Sequence, residues 1–170
     1  FPFGTFFMPQ LGGANYKEAM YDITKLNNAM KKYLDEFDPD YYSSAIIIVH
    51  GAALEKLGYK LYKWPGFNLP DKYVYQCLER EYMKPEDYDT LIDDPTDFWL
   101  RTYIPRIMGG LEPLKNLPTL MSVIELPMAW PLLFLLGLPD VQQALHNLME
   151  AGRLSFEWSG KIAAFDKEAQ

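Results

Sequence analysis

Apolar residues recur at helical spacing after residue 15. Met20, Ile23, Leu26, Met30, Tyr33, Leu34 and Phe37 share one stripe, and Lys17, Lys25, Lys31 and Lys32 lie mostly off it. Asn15-Tyr16-Lys17-Glu18 supplies an N-cap with an acid at the third helical position. The pattern predicts an amphipathic helix packed on a core and ended by Asp38-Pro39-Asp40. Before it, residues 1–8 are aromatic and apolar and predict a short buried strand, followed by a loop over 9–14. After it, the run Ile46-Ile47-Ile48-Val49 predicts a buried strand within residues 41–50. Residues 51–57 then predict a helix with Gly58 as its C-cap.

Residues 59–64 predict a strand closed by the Pro65-Gly66 turn. Residues 73–82 mix two periods: Tyr73, Tyr75 and Cys77 alternate, while Val74, Leu78 and Tyr82 have helical spacing. Their aromatic and β-branched content favours a strand, and the two strands together predict a hairpin-like excursion. The stretch 81–106, EYMKPEDYDTLIDDPTDFWLRTYIPR, holds two helix starts. Pro85-Glu86-Asp87 places a proline at a first helical position with acids beside it, which suits the positive end of a helix. Asp94-Pro95-Thr96-Asp97 repeats the device, and Pro105 predicts a stop or kink in the second helix. Residues 107–118 read as irregular and partly helical. Residues 120–138 are the most apolar window, near the length of a membrane span, yet they contain Glu125, Pro127, Pro131 and Gly137. Prolines free backbone groups for which lipid offers no partner, so the window predicts a buried helix pair. A long final helix follows Leu138-Pro139-Asp140. Its expected stripe runs from Val141, Ala144, Leu145, Leu148 and Met149 through Leu154, Phe156, Trp158 and Ile162, with Gly152 and Gly160 weakening but not breaking it.

Composition narrows the function classes. At 170 residues, 49% hydrophobic and 23% charged, the chain reads as one globular domain with a sizeable core. The formal net charge is −7, and the arginines are Arg80, Arg101, Arg106 and Arg153. A nucleic-acid surface needs a clustered basic face, so that class is set aside. Cys77 alone excludes an internal disulfide and suits a reducing cytoplasm. The start lacks a basic region followed by an apolar one, so no signal peptide is expected. Zinc spacings, a phosphate-binding glycine loop, a dinucleotide fingerprint and a nucleophile elbow are all missing from the sequence.

Few residues stand out as chemistry. His50 falls where the apolar run stops. It is either a core-edge histidine bonded to a backbone carbonyl or a ligand-facing group at the C-terminal end of a strand, where barrel sites lie. Glu79 and Glu81 would share a strand face with Cys77, as a site pair or as a solvated face. His146 has no partner at metal spacing and reads as structural.

The order "EYM…EDYD.LI.DP.DF..R..IPR", preceded by Lys63-Trp64-Pro65-Gly66, resembles the uroporphyrinogen decarboxylase-like superfamily, and more closely its larger anaerobe branch. The likeness runs from about Phe3 to the C-terminus. It implies a helix-rich α/β fold, the N-terminal half of a (β/α)8 TIM barrel whose second half lies beyond Gln170, and a site at the C-terminal face of the strands. The resemblance implies two chemistries: methyl transfer involving corrinoid proteins and thiols, or decarboxylation of uroporphyrinogen. The decarboxylase pattern carries an arginine-bearing loop near its N-terminus, and residues 8–16 contain no arginine. Asp40 matches the aspartate that opens the next segment, but the later essential aspartate has no counterpart in residues 41–50. A substrate with eight carboxylates needs a basic pocket, so both departures argue against decarboxylation. The methyltransferase branch resembles a zinc enzyme with ligands in its second half, so zinc and a corrinoid belong to a full-length parent and none to this chain. His50, with Trp64 and Glu81, would line the pocket rather than react. The expected partners are a small-molecule or corrinoid-protein substrate and either a second copy or the missing half, because a half-barrel exposes strand edges and apolar stripes. A non-catalytic interaction domain is the remaining alternative.

Overall fold

The computed structural model describes residues 7–122 and 126–169. Its elements are α1 (Phe7–Leu11), α2 (Tyr16–Tyr21), α3 (Ile23–Phe37), a 3-10 turn (Ala45–Ile47), α4 (Gly51–Leu57), β1 (Tyr62–Lys63), β2 (Gln76–Cys77), α5 (Asp87–Asp93), α6 (Pro95–Asp97), a π turn (Phe98–Tyr103), α7 (Ile104–Ile107), 3-10 turns at Gly109–Asn116 and Leu120–Ser122, α8 (Leu126–Leu136) and α9 (Pro139–Ala169). The fold is helix-rich with few strands. The chain forms two compact units. One comprises residues 1–55, 62–77 and 151–170, the other 56–61 and 78–150.

In the first unit the capping predicted at Asn15 is present in full. Its side chain accepts from Glu18 N at 2.9 Å, and Glu18 Oε2 accepts from Asn15 N at 3.0 Å. The helix is not continuous, however. Asp22 interrupts it and caps a second start, accepting from Thr24 N and Lys25 N. Helices α1 and α2 pack on α3, burying Met8, Met20, Leu26 and Met30. The strand expected over 1–8 lies outside the described residues up to residue 6, and from Phe7 the chain is helical.

The strand expected at 41–49 is not formed. Ser44 accepts from Ile46 N and caps the 3-10 turn; across the turn and the two residues after it, Ala45 and Ile48 are buried while Ile46, Ile47 and Val49 stay exposed. A strand is stable only with a partner, and this segment has no strand partner among the described residues. Its anchor is polar instead: Tyr42 Oη and Ser44 Oγ both donate to Asp166 on α9, at 2.5 and 2.6 Å. Of the strands expected over 59–64 and 73–82, two residues each are formed: β1 and β2 pair antiparallel, with Tyr62 opposite Cys77 and Lys63 opposite Gln76. The turn after β1 uses Gly66 at φ +87°.

The second unit holds the resembling stretch. Asp94 accepts from Asp97 N at 3.0 Å, the cap that its sequence predicts. Pro105 neither stops nor sharply ends the helix. The backbone ahead of it widens into the π turn, so that Ile104 N bonds Trp99 O, and the helix continues to Ile107. The wider turn relieves the clash that a proline ring makes with the carbonyl four residues back. Arg101 grips Asp97 through Nε and Nη2 and donates from Nη1 to Leu117 O at 2.9 Å. Arg106 grips Asp87 through Nη1 and Nη2 and donates from Nη1 to Tyr82 O at 2.6 Å. The apolar core gathers Leu111, Leu114, Leu117, Val141 and Ala144, with Leu57, Ile104 and Leu135 packed against it. Helix α8 is one helix through Pro131 rather than a buried pair. Trp130, Leu133 and Phe134 on it are exposed.

Two glycines test the backbone argument. Gly58 sits at φ +59°, and a Cβ there would come within 2.7 Å of Gly110 N. Gly58→Ala is expected to destabilise by about 1–3 kcal/mol. A Cβ at Gly152, inside α9, would meet nothing within 4 Å, and Gly152→Ala is expected to stabilise by roughly 0.5–1 kcal/mol. Urea unfolding of both variants checks the pair, and opposite signs are the expected result.

Candidate functional site

The first unit concentrates its buried polar chemistry around Tyr21. Trp64, from the Lys63-Trp64-Pro65-Gly66 run, is fully buried. Its Nε1 donates to Tyr21 Oη at 2.9 Å, and Tyr21 Oη donates in turn to Glu55 Oε1 at 2.5 Å. A buried indole N–H needs an acceptor, and the tyrosine supplies it while passing its own proton outward. Trp64 is locked further by stacking on Phe67, with ring centroids 4.8 Å apart, and by donation from its backbone N to Asn68 Oδ1 at 3.0 Å.

His50 flanks the same tyrosine. Its ring meets the Tyr21 ring edge-on at 6.4 Å and lies flat on Trp158, with centroids 4.6 Å apart and an interplanar angle of 4°. Trp158 Nε1 donates to Ile48 O at 2.7 Å, which fixes the indole under the imidazole. Gly51 leaves the needed space, since a Cβ there would overlap the Tyr21 ring. His50 Nδ1 is buried and takes no hydrogen bond among the described residues. The backbone-bonded histidine that the sequence allowed is therefore not what this nitrogen does.

Electrostatics favour the neutral forms of His50 and Tyr21. Burial holds the His50 pKa below the ordinary histidine value, nearby Lys161 adds to this, and Glu157 and Glu55 oppose it. Burial, reinforced by the bond to Glu55, pushes the Tyr21 phenol up, and donation from Trp64 partly offsets the rise. At neutral pH the pair is thus imidazole and phenol. Neutral, the imidazole carries one N–H donor and one acceptor nitrogen, and the phenol keeps its donor.

The structure therefore brings His50 and Trp64 to a common tyrosine. Glu81 is an exposed residue of the second unit, and Glu79 is exposed as well. Cys77 is exposed on β2, and His146 is exposed on α9. Sequence reasoning missed Tyr21 and Glu55 and placed Trp158 only in a helix stripe. The signal for Tyr21 was weak, a tyrosine one residue before the capping Asp22. Among the described residues no three His, Cys, Asp or Glu side chains are placed to share a metal ion. Among the same residues, no helix is long and apolar enough to cross a membrane.

No protein-family profile, curated protein or solved structure matches the chain.

Tyr21→Phe removes the acceptor of a buried indole N–H, and the expected loss is about 1–3 kcal/mol in chemical unfolding. Adding Trp64→Phe to that variant should cost less than the same change in the wild type, because the orphaned donor leaves with it. Full additivity in the cycle would show that the Trp64–Tyr21 bond is energetically idle.

Proposed function

We propose that the chain is the N-terminal part of a uroporphyrinogen decarboxylase-like enzyme, a (β/α)8 barrel whose parent moves a methyl group between a corrinoid protein and a small acceptor in the cytoplasm. The observation that carries this reading is where the resembling residues fall. Trp64 is fully buried and bonded to Tyr21, beside the neutral His50. Arg106 and Asp97 of the longer resembling stretch are paired with Asp87 and Arg101. These residues of the motif hold the chain's own structure together, as scaffold positions would. In this reading His50 and Trp64 form part of a pocket wall, and the reacting groups and any zinc lie in the rest of the parent.

Pairing with that second half, or with another copy, is part of the same proposal. Ile46, Ile47 and Val49 in one unit and Leu133 and Phe134 in the other stay exposed. Exposed apolar side chains of this size suit a covered surface. They also favour the second reading, a non-catalytic interaction domain.

The full-length parent decides among the readings. Metal analysis and a methylcobalamin-to-thiol assay would be run beside uroporphyrinogen turnover. Bound zinc with thiol methylation is the expected result. His50→Ala should then lower kcat/KM about tenfold, the loss of a single recognition contact, chiefly through KM. Coproporphyrinogen formation without metal would transfer the assignment to decarboxylation. An inactive parent that still captures a second copy would favour the interaction domain.

A further inference from the structure

Lys60, Arg101, Thr102, Arg106, Glu112 and Lys115 line a depression of about 380 Å³ in the second unit. Four cations face it in a chain whose formal net charge is −7. Both guanidinium groups are held from one side. Asp97 and Leu117 O take an N–H from each nitrogen of Arg101, which leaves one N–H each on Nη1 and Nη2. Asp87 and Tyr82 O take three from Arg106, which leaves Nε and one N–H on Nη2. Arginine donors fixed in this way need little further ordering to grip an oxyanion. The π turn carries both Arg101 and Thr102, and both line the depression.

The lysines complete the set. Lys60 makes no ion pair among the described residues, and its backbone is fixed by donation to Ile107 O at 2.9 Å. Lys115 Nζ is held by Glu112 Oε1 at 2.6 Å. That bond keeps the Glu112 carboxyl below the usual range, and Lys60 adds to the effect. Asp87 and Asp97 offset the guanidinium charges and Glu112 offsets Lys115. Lys60 is the surplus, and Glu112 is an internal competitor for the place of an anion.

We propose that this depression binds the phosphate group of a small phosphorylated molecule. The N–H edges left on two fixed guanidinium groups, one hydroxyl and one unpaired ammonium match a tetrahedral oxyanion with several acceptor oxygens. A planar carboxylate has two oxygens and uses fewer of these donors. The site shares no residue with the His50 and Trp64 cluster and does not rest on the assignment of the proposed enzyme.

An NMR titration of the whole chain with inorganic phosphate, at constant ionic strength against chloride, tests it. Saturable shifts are expected at the amides of Lys60, Thr102, Arg106 and Lys115. Lys60→Ala should weaken binding about fivefold, the scale of one exposed charge pair. Glu112→Gln should tighten it by roughly threefold, because Lys115 is released. Both side chains are exposed, so both variants should fold, and far-UV circular dichroism confirms that they do. Citrate serves as the carboxylate arm. Shifts that do not saturate, affinities that neither substitution moves, or citrate binding as tight as phosphate would each overturn the proposal.

Discussion

Two aspartate–arginine pairs hold the second unit, and its other features follow from them. Residues 82–117 hold the seven-residue α5, one helical run from Pro95 to Ile107 with the π turn inside it, and the eight-residue 3-10 turn Gly109–Asn116. Helical segments of this length are marginal alone in water. Arg106 reaches back to Tyr82 O and Arg101 reaches forward to Leu117 O, so each pair closes a loop around the pieces between. The Asp87 side chain is about 8% exposed and that of Asp97 about 10%, against 26% and 27% for their arginines. Bidentate geometry and partial burial put these pairs above ordinary surface ion pairs. Phe98, Ile107 and Leu111 can then be buried beneath them.

The first unit is organised differently. Its centre is Tyr21, a group that both accepts and donates. It joins a buried indole to an exposed carboxylate and presents an edge to His50. The Asp166 carboxylate plays a parallel part for the segment before His50, accepting from Tyr42 and Ser44. Burial and these bonds push the Tyr42 phenol up as well. Apolar packing by α1, α2 and α3 supplies the mass, and the hydroxyl contacts supply the registration.

What the sequence made legible is local. The caps at Asn15 and Asp94, the positive-φ Gly58 and the unbroken α9 all rest on neighbours within a few residues. The failures are tertiary. The isoleucine run at 46–48 has the propensity of a strand, but propensity is a statement about fitting a pleated surface that this segment does not have. The stripe expected on α9 held at Val141, Ala144, Trp158 and Ile162 but not at Leu148, Met149 or Phe156, which are exposed. Asp22 was hidden inside a continuous apolar period, where a cap changes direction without breaking the pattern. Of the candidate site, His50 and Trp64 were found because each closes a run. Tyr21 and Glu55 have no such mark, and only the fold brings them together.

The claim that the Asp87–Arg106 pair holds residues 82–117 has a direct test in acid. The Arg106 hydrogen bonds, with Lys84 N adding to them, pull the Asp87 carboxyl down to about 2 from its ordinary value of 3.8. A folded value below the unfolded one means that the unfolded chain binds more protons between the two. The stabilisation is complete above the unfolded value and is lost as pH falls toward 2. Unfolding of the wild type and of Asp87→Asn, measured by urea from pH 6 down to pH 2, isolates this group. The expected result is a stability difference that is constant above about pH 5 and shrinks steeply between pH 4 and pH 2. A difference that stays flat through that window would contradict the account, since Asp87 would then ionise alike in the folded and unfolded chain.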